Sequence, residues 1–263
     1  MSAGPIRLFL AGCNGRMGHV VERLVSESGD LRISAGCDAN LPRNPAYPVF
    51  SDMTLCDVDY DVLVDFSHPS AFPSMIALSH RTGKPAVVCV TGLTGEQLSE
   101  LHDFSRDHPV FQSPNMSLGV NLLTHLVEKA AEVLYPDFDI EIVEAHHNQK
   151  LDAPSGTALL IADAAKRVRD RQAERDGGPE CGYVYDRHDV RRKRSPGEIG
   201  IHSIRGGSIV GDHEVIFAGQ DEVVRLSHSI ASREVFGRGA LAAARYMAGK
   251  GPGFYTMKDL IGG

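Results

Sequence analysis

The stretch IRLFLAGCNGRMG, residues 6–18, joins an apolar run to a loop that contains three glycines. The apolar run predicts a short buried strand, and the next segment, HVVERLVSES, carries apolar residues at helical spacing. A strand, a glycine-rich turn and a helix start are the parts of a nucleotide-binding βα unit. We therefore expect this stretch to form the first crossover of a doubly wound parallel sheet.

Strand-like segments recur through the first half of the sequence and alternate with helical ones. Strands are predicted at residues 31–38, 60–67, 84–92 and 108–115, and helices at residues 71–80 and 96–106. Strands that alternate with helices indicate an α/β fold with a Rossmann-like, doubly wound parallel sheet.

The pattern changes from Ser117 onward. Helices are predicted at residues 117–134 and 154–168, a strand at 138–145, antiparallel strands joined by glycine turns at 201–219 and 221–230, and a closing helix at 232–249. These elements predict a smaller α+β domain over residues 117–228, with a mixed, largely antiparallel sheet. The dinucleotide-binding domain is expected at residues 1–116 and 229–263.

Residues 171–200 are rich in charged and turn-forming residues, and we expect them to form a mobile excursion. Their basic cluster, RRKR at residues 191–194, could grip phosphates, but a solvated loop is favoured.

Composition narrows the class of protein. The chain has 263 residues, a formal net charge of −7, 42% apolar residues and 23% charged residues, as is typical of soluble globular proteins. The acidic balance disfavours a surface for nucleic acid or anionic lipid, while a local basic pocket for a small anion stays open. Five scattered cysteines, no signal peptide and no apolar run of membrane-spanning length predict a reduced, cytoplasmic chain without disulfides.

The glycine loop departs from the common G-x-G-x-x-G pattern, because its glycines are Gly12, Gly15 and Gly18. A tight turn at Gly12, backbone approach to a pyrophosphate at Gly15 and a free helix start would still suit a dinucleotide, and Arg16 adds a cation. Asp38 follows the second strand, 20 residues after Gly18, where an acid accepts the ribose hydroxyls of NAD. A ligand-free turn and an ordinary strand-end acid remain the alternatives.

Three further strand ends should border the same crevice, because ligands of such sheets lie beyond the carboxyl ends of the strands. They are FSHP at residues 66–69, TGLTG at 91–95 and SPNM at 113–116. Plain turn chemistry would explain the same residues.

The segment EAHHNQKLDAPSGTA, residues 144–158, sets two histidines and a lysine before a helix start. Adjacent residues of an extended segment face opposite ways, so a zinc ion shared by His146 and His147 is disfavoured and no metal is predicted. Ser155 lacks the flanking sequence of a hydrolase nucleophile, and we expect it to cap the helix. Two partly buried histidines near a loop are the plain structural alternative.

The combination of these residues favours an anionic substrate. Lys150 and the two histidines are cations or potential cations, and the helix start at residues 155–157 offers backbone N–H groups to an anion. A histidine with the ordinary pKa of about 6.5 can deliver a proton at neutral pH. Beside a nucleotide fold, this set predicts hydride transfer followed by protonation.

Seven blocks taken in order resemble the 4-hydroxy-tetrahydrodipicolinate reductase (dihydrodipicolinate reductase) family over nearly the whole chain. They are AGCNGRMG, VDFSHPSA, TGLTG, SPNMSLGVN, EAHHNQKLDAPSGTA, IVGDHEVIFAG and SREVFGRGALAAA. The fifth block is the most specific. The resemblance implies the reduction of a cyclic conjugated imine dicarboxylate to tetrahydrodipicolinate by NADH or NADPH, in diaminopimelate and lysine biosynthesis, by a homotetramer whose second-domain sheet makes the subunit contacts.

The resemblance also implies the roles of individual residues. His146 matches the proton donor and Lys150 the second catalytic residue. The positions that hold the substrate carboxylates are His147, Ser155, Gly156 and Thr157. The cofactor positions are Gly12, Cys13, Asn14, Gly15, Arg16, Met17, Asp38, Gly92, Leu93, Thr94, Ser113, Pro114, Asn115 and Met116.

Some positions depart from the family's commoner residues. Ala39 stands where many members carry an arginine for the 2′-phosphate of NADPH, so we expect NADH to be used well, although Arg43 is close in sequence. His68, Leu93 and Met116 also depart, which bears on cofactor affinity.

Two rival functions remain open on the sequence. A related nicotinamide enzyme, such as an aspartate or homoserine dehydrogenase, would not require the histidine–lysine block. A non-catalytic dinucleotide sensor would have no reason to keep His146 and Lys150.

Overall fold

The structure is a computed structural model that describes residues 4–41, 45–188 and 191–262. It divides into two compact units, the first formed by Met1–Leu118 with Glu234–Gly263 and the second by Gly119–Arg233.

Twelve strands and seven α-helices are found in the described residues. The strands are β1 (Ile6–Ala11), β2 (Leu31–Cys37), β3 (Val49–Phe50), β4 (Val62–Asp65), β5 (Ala86–Val88), β6 (Pro109–Gln112), β7 (Asp139–His146), β8 (Gly182–Val184), β9 (Glu198–Arg205), β10 (Gly211–Ala218), β11 (Val223–Ile230) and β12 (Gly253–Tyr255). The helices are α1 (Arg16–Ser26), α2 (Phe72–Thr82), α3 (Gly95–Phe104), α4 (Leu118–Val133), α5 (Gly156–Asp176), α6 (Glu234–Met247) and α7 (Met257–Gly262).

The first unit is built on a seven-stranded sheet in the order β12-β6-β5-β4-β1-β2-β3, and every neighbouring pair is parallel. Alternate residues of β1 point to opposite faces: Leu8 and Leu10 join one apolar cluster, and Phe9 joins the other. Helices cover a sheet that is apolar on both faces, which confirms the predicted Rossmann-like parallel sheet.

The strand order reverses next to β1, because β2 lies on one side of it and β4 on the other. Such a reversal opens a crevice at the carboxyl ends of the strands. The glycine loop lies there, between β1 and α1.

Sequence patterns missed β3, β12 and α7. These elements have two, three and six residues, which is too short to show a period.

The second unit has a five-stranded sheet in the order β11-β10-β7-β9-β8. The predicted mixed sheet is confirmed, but its antiparallel share is smaller than expected: β7 pairs antiparallel with β10 and parallel with β9, β10 pairs antiparallel with β11, and β8 pairs parallel with β9. The strands joined by the glycine turn within residues 201–219 do not pair with each other, because β7 lies between β9 and β10. Alternating apolar residues specify a strand's faces, not its neighbours.

The prediction of a mobile excursion over residues 171–200 is corrected by the structure. Helix α5 continues to Asp176, and β8 adds a strand to the sheet. Arg194 is only 18% exposed, and its guanidinium lies 2.6 Å from Asp139 Oδ1 and 3.0 Å from Glu141 Oε1. The cluster at residues 191–194 therefore contributes an arginine that ties the segment to β7.

No helix among the described residues is long and apolar enough to cross a membrane.

Replacing Arg194 with Gln should destabilise the second unit by about 1–3 kcal/mol, because it removes charge-assisted hydrogen bonds to Asp139, Glu141 and three carbonyl oxygens. Thermal or urea unfolding measures the change. Lys193→Gln, which alters an exposed neighbour, is the control and should stay within about 0.5 kcal/mol of the parent. Equal stabilities for the two variants would contradict the anchoring role of Arg194.

Candidate active site

The glycine loop of the first unit is shaped by backbone contacts. Gly12 has φ +73°, and a Cβ there would lie 2.5 Å from the carbonyl oxygen of Phe66. A Cβ at Gly18 would lie 2.3 Å from the carbonyl oxygen of Cys13. These two glycines are therefore required by the fold, one for the turn and one for close packing of α1.

Gly15 has a different reason to be glycine. It precedes α1 with φ −81°, a value that any residue adopts, and a Cβ there would meet one atom within 4 Å, the carbonyl oxygen of Gly12 at 3.2 Å. It is exposed, and among the described residues no side chain caps the helix start behind it. An open helix start with no side chain in front of it suits a phosphate group.

Asp38 lies at the rim of this loop. Its Oδ2 accepts the backbone N–H of Asn14 at 3.0 Å, and its Oδ1 accepts that of Asn40 at 2.9 Å. With Gly12, Gly15 and Ala39 it lines a cleft of about 460 Å³. The carboxylate therefore fixes the turn and faces a space of ligand size.

A second cleft of the first unit, about 370 Å³, collects another group of the predicted cofactor residues. Its lining includes Met17 and residues 113–116. Phe66, Ser67 and Phe236 complete part of the wall. The hydroxyl of Ser113 donates to the carbonyl oxygen of Asn115 at 2.9 Å, which fixes the turn.

Other predicted cofactor residues lie outside the linings of these clefts. The Cys13 side chain is 1% exposed and packs in the core, where burial raises the pKa of its thiol to about 11. Asn14 donates a side-chain hydrogen bond to the carbonyl oxygen of Asn40, and Arg16 is exposed.

The predicted cofactor residues 92–94 also lie outside these linings. Gly92 has φ +81°, Leu93 packs on the core, and Thr94 caps α3 by accepting the backbone N–H of Gln97 at 3.1 Å.

Sequence reasoning missed residues 51–53, which follow the short strand β3 and line the larger cleft. The sequence predicted that residues 66–69 border the crevice, and the lining of the larger cleft does include Phe66, Ser67 and His68. His68 caps a turn, since its Nδ1 accepts the backbone N–H of Ser70 at 3.2 Å. Arg43 lies outside the described residues.

In the second unit, the alternation of β7 sends Glu144 and His146 to the same buried face. Glu144 is fully buried and His146 is 8% exposed. Their side chains meet, with 2.5 Å between His146 Nδ1 and Glu144 Oε2. Arg205, at the end of β9, donates to Oε2 at 2.9 Å and to Oε1 at 2.8 Å.

The pKa of Glu144 reflects opposing influences. Burial alone would raise it, but hydrogen bonds from Arg205, Ser203 and His146 lower it to about 2. The carboxyl group is therefore ionised at neutral pH, and its negative charge is balanced by the guanidinium of Arg205.

Ser155 caps α5, as predicted: its Oγ accepts the backbone N–H of Ala158 at 3.1 Å. Its own N–H donates to Glu144 Oε1 at 3.2 Å, and its Oγ is hydrogen-bonded to His213 Nε2 at 3.1 Å. The serine–histidine pair does not complete a hydrolytic triad, because Ser155 is 2% exposed and His213 Nδ1 has no partner among the described residues.

Lys150 follows β7 in a turn, where its backbone N–H donates to the carbonyl oxygen of His147. Its Nζ lies 2.9 Å from Oδ1 of the exposed Asp152, and this ion pair lowers the pKa of Asp152. The lysine is thus held near the surface of the second unit by a partner that solvent can replace.

The remaining predicted substrate residues flank this cluster. His147 is half-buried. Gly156 and Thr157 open α5, Gly156 is exposed, and a Cβ on Gly156 would meet no atom within 4 Å. Packing therefore does not require glycine there, so the position is open to a ligand.

The structure adds Glu144, Arg205, His213 and Asp152 to the residues around His146 and Lys150. The period of two along β7 could have identified Glu144, which lies two residues before His146. Arg205 and His213 are brought in by strand register, since Arg205 aligns with His146 and His213 with Glu144. Among the described residues, no group of three or more His, Cys, Asp or Glu side chains could hold a metal ion.

A doubly wound parallel sheet with clefts at its glycine loop, together with a histidine–carboxylate cluster in a second unit, defines a two-unit protein of nucleotide-binding architecture. Comparison with known proteins identifies the family. The family model "Dihydrodipicolinate reductase, N-terminus" matches residues 6–116, and "Dihydrodipicolinate reductase, C-terminus" matches residues 119–261. The chain belongs to the dihydrodipicolinate reductase family of pyridine-nucleotide-dependent oxidoreductases.

Individual relatives agree with this assignment. The 4-hydroxy-tetrahydrodipicolinate reductase of Caldanaerobacter subterraneus subsp. tengcongensis is 49% identical over 97% of this chain and 98% of that protein. The enzyme of the same name from Clostridium novyi is 46% identical over 97% and 98%. The solved structure of dipicolinate-bound dihydrodipicolinate reductase from Paenisporosarcina sp. TG-14 has a TM-score of 0.77 at 23% identity, over 98% of this chain and 99% of that one, which shows the shared fold.

His213 should make folding stability depend on pH. Burial, with His146 nearby, lowers its pKa from the ordinary 6.5 to about 4. Between these two pKa values the unfolded chain binds a proton that the folded chain does not. The contribution of neutral His213 to the free energy of unfolding is therefore fully present above about pH 6.5 and is lost as the pH falls to about 4. Urea unfolding at pH 7 and pH 4.5 measures how much the free energy of unfolding falls between these pH values. The fall should be smaller in His213→Gln than in the parent, by roughly 1–3 kcal/mol.

The control for this measurement is His19→Gln, which replaces an exposed histidine and should keep the parent's pH dependence. The same pH dependence in His213→Gln as in the parent would contradict the inference.

Proposed function

We propose that this chain is a 4-hydroxy-tetrahydrodipicolinate reductase that converts a cyclic conjugated imine dicarboxylate into tetrahydrodipicolinate in diaminopimelate and lysine biosynthesis. The observation that carries the proposal is the cluster around His146, in which one buried, ionised carboxylate orients an imidazole beside a helix start and a lysine turn. Family membership agrees with this chemistry.

His146 donates the proton in this proposal. Hydride addition leaves electron density on the conjugated system, and a proton must neutralise it. The carboxylate of Glu144 holds the imidazole of His146 in place, and a protonated ring beside it can release its proton as the negative charge develops. Lys150 assists by stabilising that charge, and its exposed partner Asp152 can exchange for solvent.

The substrate carboxylates are held by cations and by the start of α5. His147, Ser155, Gly156 and Thr157 supply these contacts in the proposal. Backbone N–H groups at a helix start attract anions through their partial positive charge. Gly156 leaves the approach open, since nothing lies within 4 Å of its Cβ position.

The first unit binds the dinucleotide in this proposal, with Gly12 to Met17, Asp38, Gly92 to Thr94 and Ser113 to Met116 as its contacts. The residues fit such a group because Gly15 presents an open helix start and Asp38 faces the larger cleft. When bound, NADH or NADPH supplies the hydride.

Asp38 and Ala39 favour NADH. An acid accepts the ribose hydroxyls but repels a 2′-phosphate, and Ala39 brings no cation beside it. The carboxylate of Asp38 is held by two backbone N–H groups, so it is fixed at the rim of the cleft.

We further propose a cytoplasmic enzyme that acts without metal, and a homotetramer in which the sheet of the second unit makes the subunit contacts. The proposed domain roles are dinucleotide binding by the first unit and substrate binding with assembly by the second.

Replacing His146 with Gln, or Lys150 with Ala, should lower kcat by about 10²–10⁴-fold, because each removes a group that acts on the transition state. The measurement is a coupled assay that generates the unstable substrate in situ and follows nicotinamide absorbance. Both variants should bind NADH as the parent does, since the replaced residues belong to the second unit.

The control is Lys129→Ala, which removes a mainly exposed cation on α4 and should keep full activity. Unchanged turnover in His146→Gln would contradict the assigned proton donor. If the parent chain binds NADH but shows no turnover, the rival function of a non-catalytic dinucleotide sensor would be supported instead.

The ratio of kcat/KM for NADH and NADPH tests the cofactor prediction. We expect NADH to be used at least comparably, and Ala39→Arg should shift the ratio toward NADPH by about tenfold or more, because an arginine pairs with the 2′-phosphate. A parent value for NADPH more than tenfold above that for NADH would show that Asp38 and Ala39 do not decide the preference.

A further inference from the structure

We propose that Glu144 is a positioning residue that holds the Nδ1 proton of His146, so that the proton transferred to the substrate leaves from Nε2. This inference rests on the proposed function, in which His146 is the proton donor. It gives a role to Glu144, a buried carboxylate that takes no direct part in the proposed hydride and proton transfers.

The contact between the two side chains leaves little freedom. Both residues are on the buried face of β7, and 2.5 Å separates His146 Nδ1 from Glu144 Oε2. Glu144 itself is fixed, since Arg205 donates one hydrogen bond to each of its oxygens. A buried imidazole next to a fixed carboxylate has one favourable ring orientation.

The charge of Glu144 determines the tautomer. Arg205 keeps the carboxyl group ionised, with its pKa lowered to about 2 against the effect of burial. An ionised carboxylate only accepts hydrogen bonds, so Nδ1 must carry the hydrogen. Neutral His146 is then the Nδ1–H tautomer, and Nε2 is the atom that gains and loses a proton.

Space beside Nε2 is preserved by a missing side chain. A Cβ on Gly211, at the start of β10, would lie 3.1 Å from His146 Nε2. Any larger residue there would crowd the nitrogen. The glycine therefore keeps a side chain of β10 away from the nitrogen that is left when Nδ1 binds the carboxylate.

The same carboxylate connects the proton donor to the helix start. Ser155 donates its backbone N–H to Glu144 Oε1 at 3.2 Å, and Oε2 receives the imidazole. One charged group thus sets the relative position of His146 and of the turn proposed to bind a substrate carboxylate.

Charged and titratable groups surround His146 on several elements. The Glu144 anion contacts its Nδ1, and the Arg205 cation is paired with that anion. His213 on β10 meets the ring edge-on at 5.3 Å, and burial holds its pKa down to about 4, so it adds no charge at neutral pH. Asp212, the preceding residue of β10, and His228, which pairs with His213 on β11, act on His213 electrostatically, and the Lys150–Asp152 pair lies on the connection that follows β7.

Glu144→Gln tests the inference. The amide cannot stabilise an imidazolium as a carboxylate does, so His146 should lose its proton at lower pH. We expect kcat to fall about 10–10³-fold, and the alkaline descent of kcat/KM to shift to lower pH by one unit or more. A purely structural role would scale the profile without shifting it.

Glu141→Gln is the matched control. Glu141 is also on β7, also pairs with an arginine and also contacts a histidine, His202, at 2.8 Å, but it is on the opposite face. This variant should keep the parent's pH profile. A shift of equal size in both variants, or none in Glu144→Gln, would overturn the proposal.

A second measurement does not depend on the fold of a variant. In the parent protein labelled with ¹⁵N-histidine, the two ring nitrogens of His146 report the tautomer at pH above its titration, with His146→Gln identifying the signals. The proposal expects a protonated Nδ1 and an unprotonated Nε2; the opposite tautomer would overturn it.

The two levels of inference fail separately. Full activity in His146→Gln would reject the proton donor itself. An inactive His146→Gln together with an unshifted profile in Glu144→Gln would reject only the positioning role.

Discussion

The second unit depends on one buried carboxylate. Glu144 is fully buried, and its two oxygens are shared by a guanidinium, an imidazole and a backbone N–H. These groups come from β9, from β7 itself and from the start of α5. Removing the carboxylate would leave Arg205 as a poorly compensated charge in a mostly buried site, where lost solvation is costly. One carboxylate therefore joins three elements of the fold and also sets the position of the histidine beside it.

The two units use the same device at different places. Gly15 precedes α1 and Gly156 opens α5, and neither has the positive φ that would require glycine. In each unit a neighbouring side chain is hydrogen-bonded to the backbone. Asp38 accepts an N–H of the glycine loop, and Ser155 accepts an N–H of the first turn of α5. A helix start at a glycine is a suitable place for an anionic group, and of these two helices only α1 also lacks a side-chain cap.

Local sequence patterns were sufficient to predict the parallel sheet, and they also singled out His146 as a candidate site residue. The run before Gly12 has a strand's composition, and the block around His146 is contiguous, so each shows in a short window. Arg205 and His213 do not, because strand register alone brings them to Glu144. For the same reason the order of β7, β9 and β10 could not be predicted, nor the carboxylate partners of Arg194, Asp139 and Glu141, which lie more than 50 positions earlier in the chain. Patterns report which face a residue occupies, whereas pairing between distant segments is decided by packing.

The first unit is discontinuous in sequence, and this has a consequence for biosynthesis. Helix α6 closes over the cluster that contains Leu24, with Gly237 so near that a Cβ would lie 2.9 Å from Leu24 Cδ1, and β12 pairs with β6. A ribosome must therefore translate the whole of Gly119–Arg233 before α6 can complete the cover over this cluster. The second unit is contiguous and can fold earlier, so a nascent chain would offer the exposed surface of its amino-terminal half to chaperones until the last helices emerge.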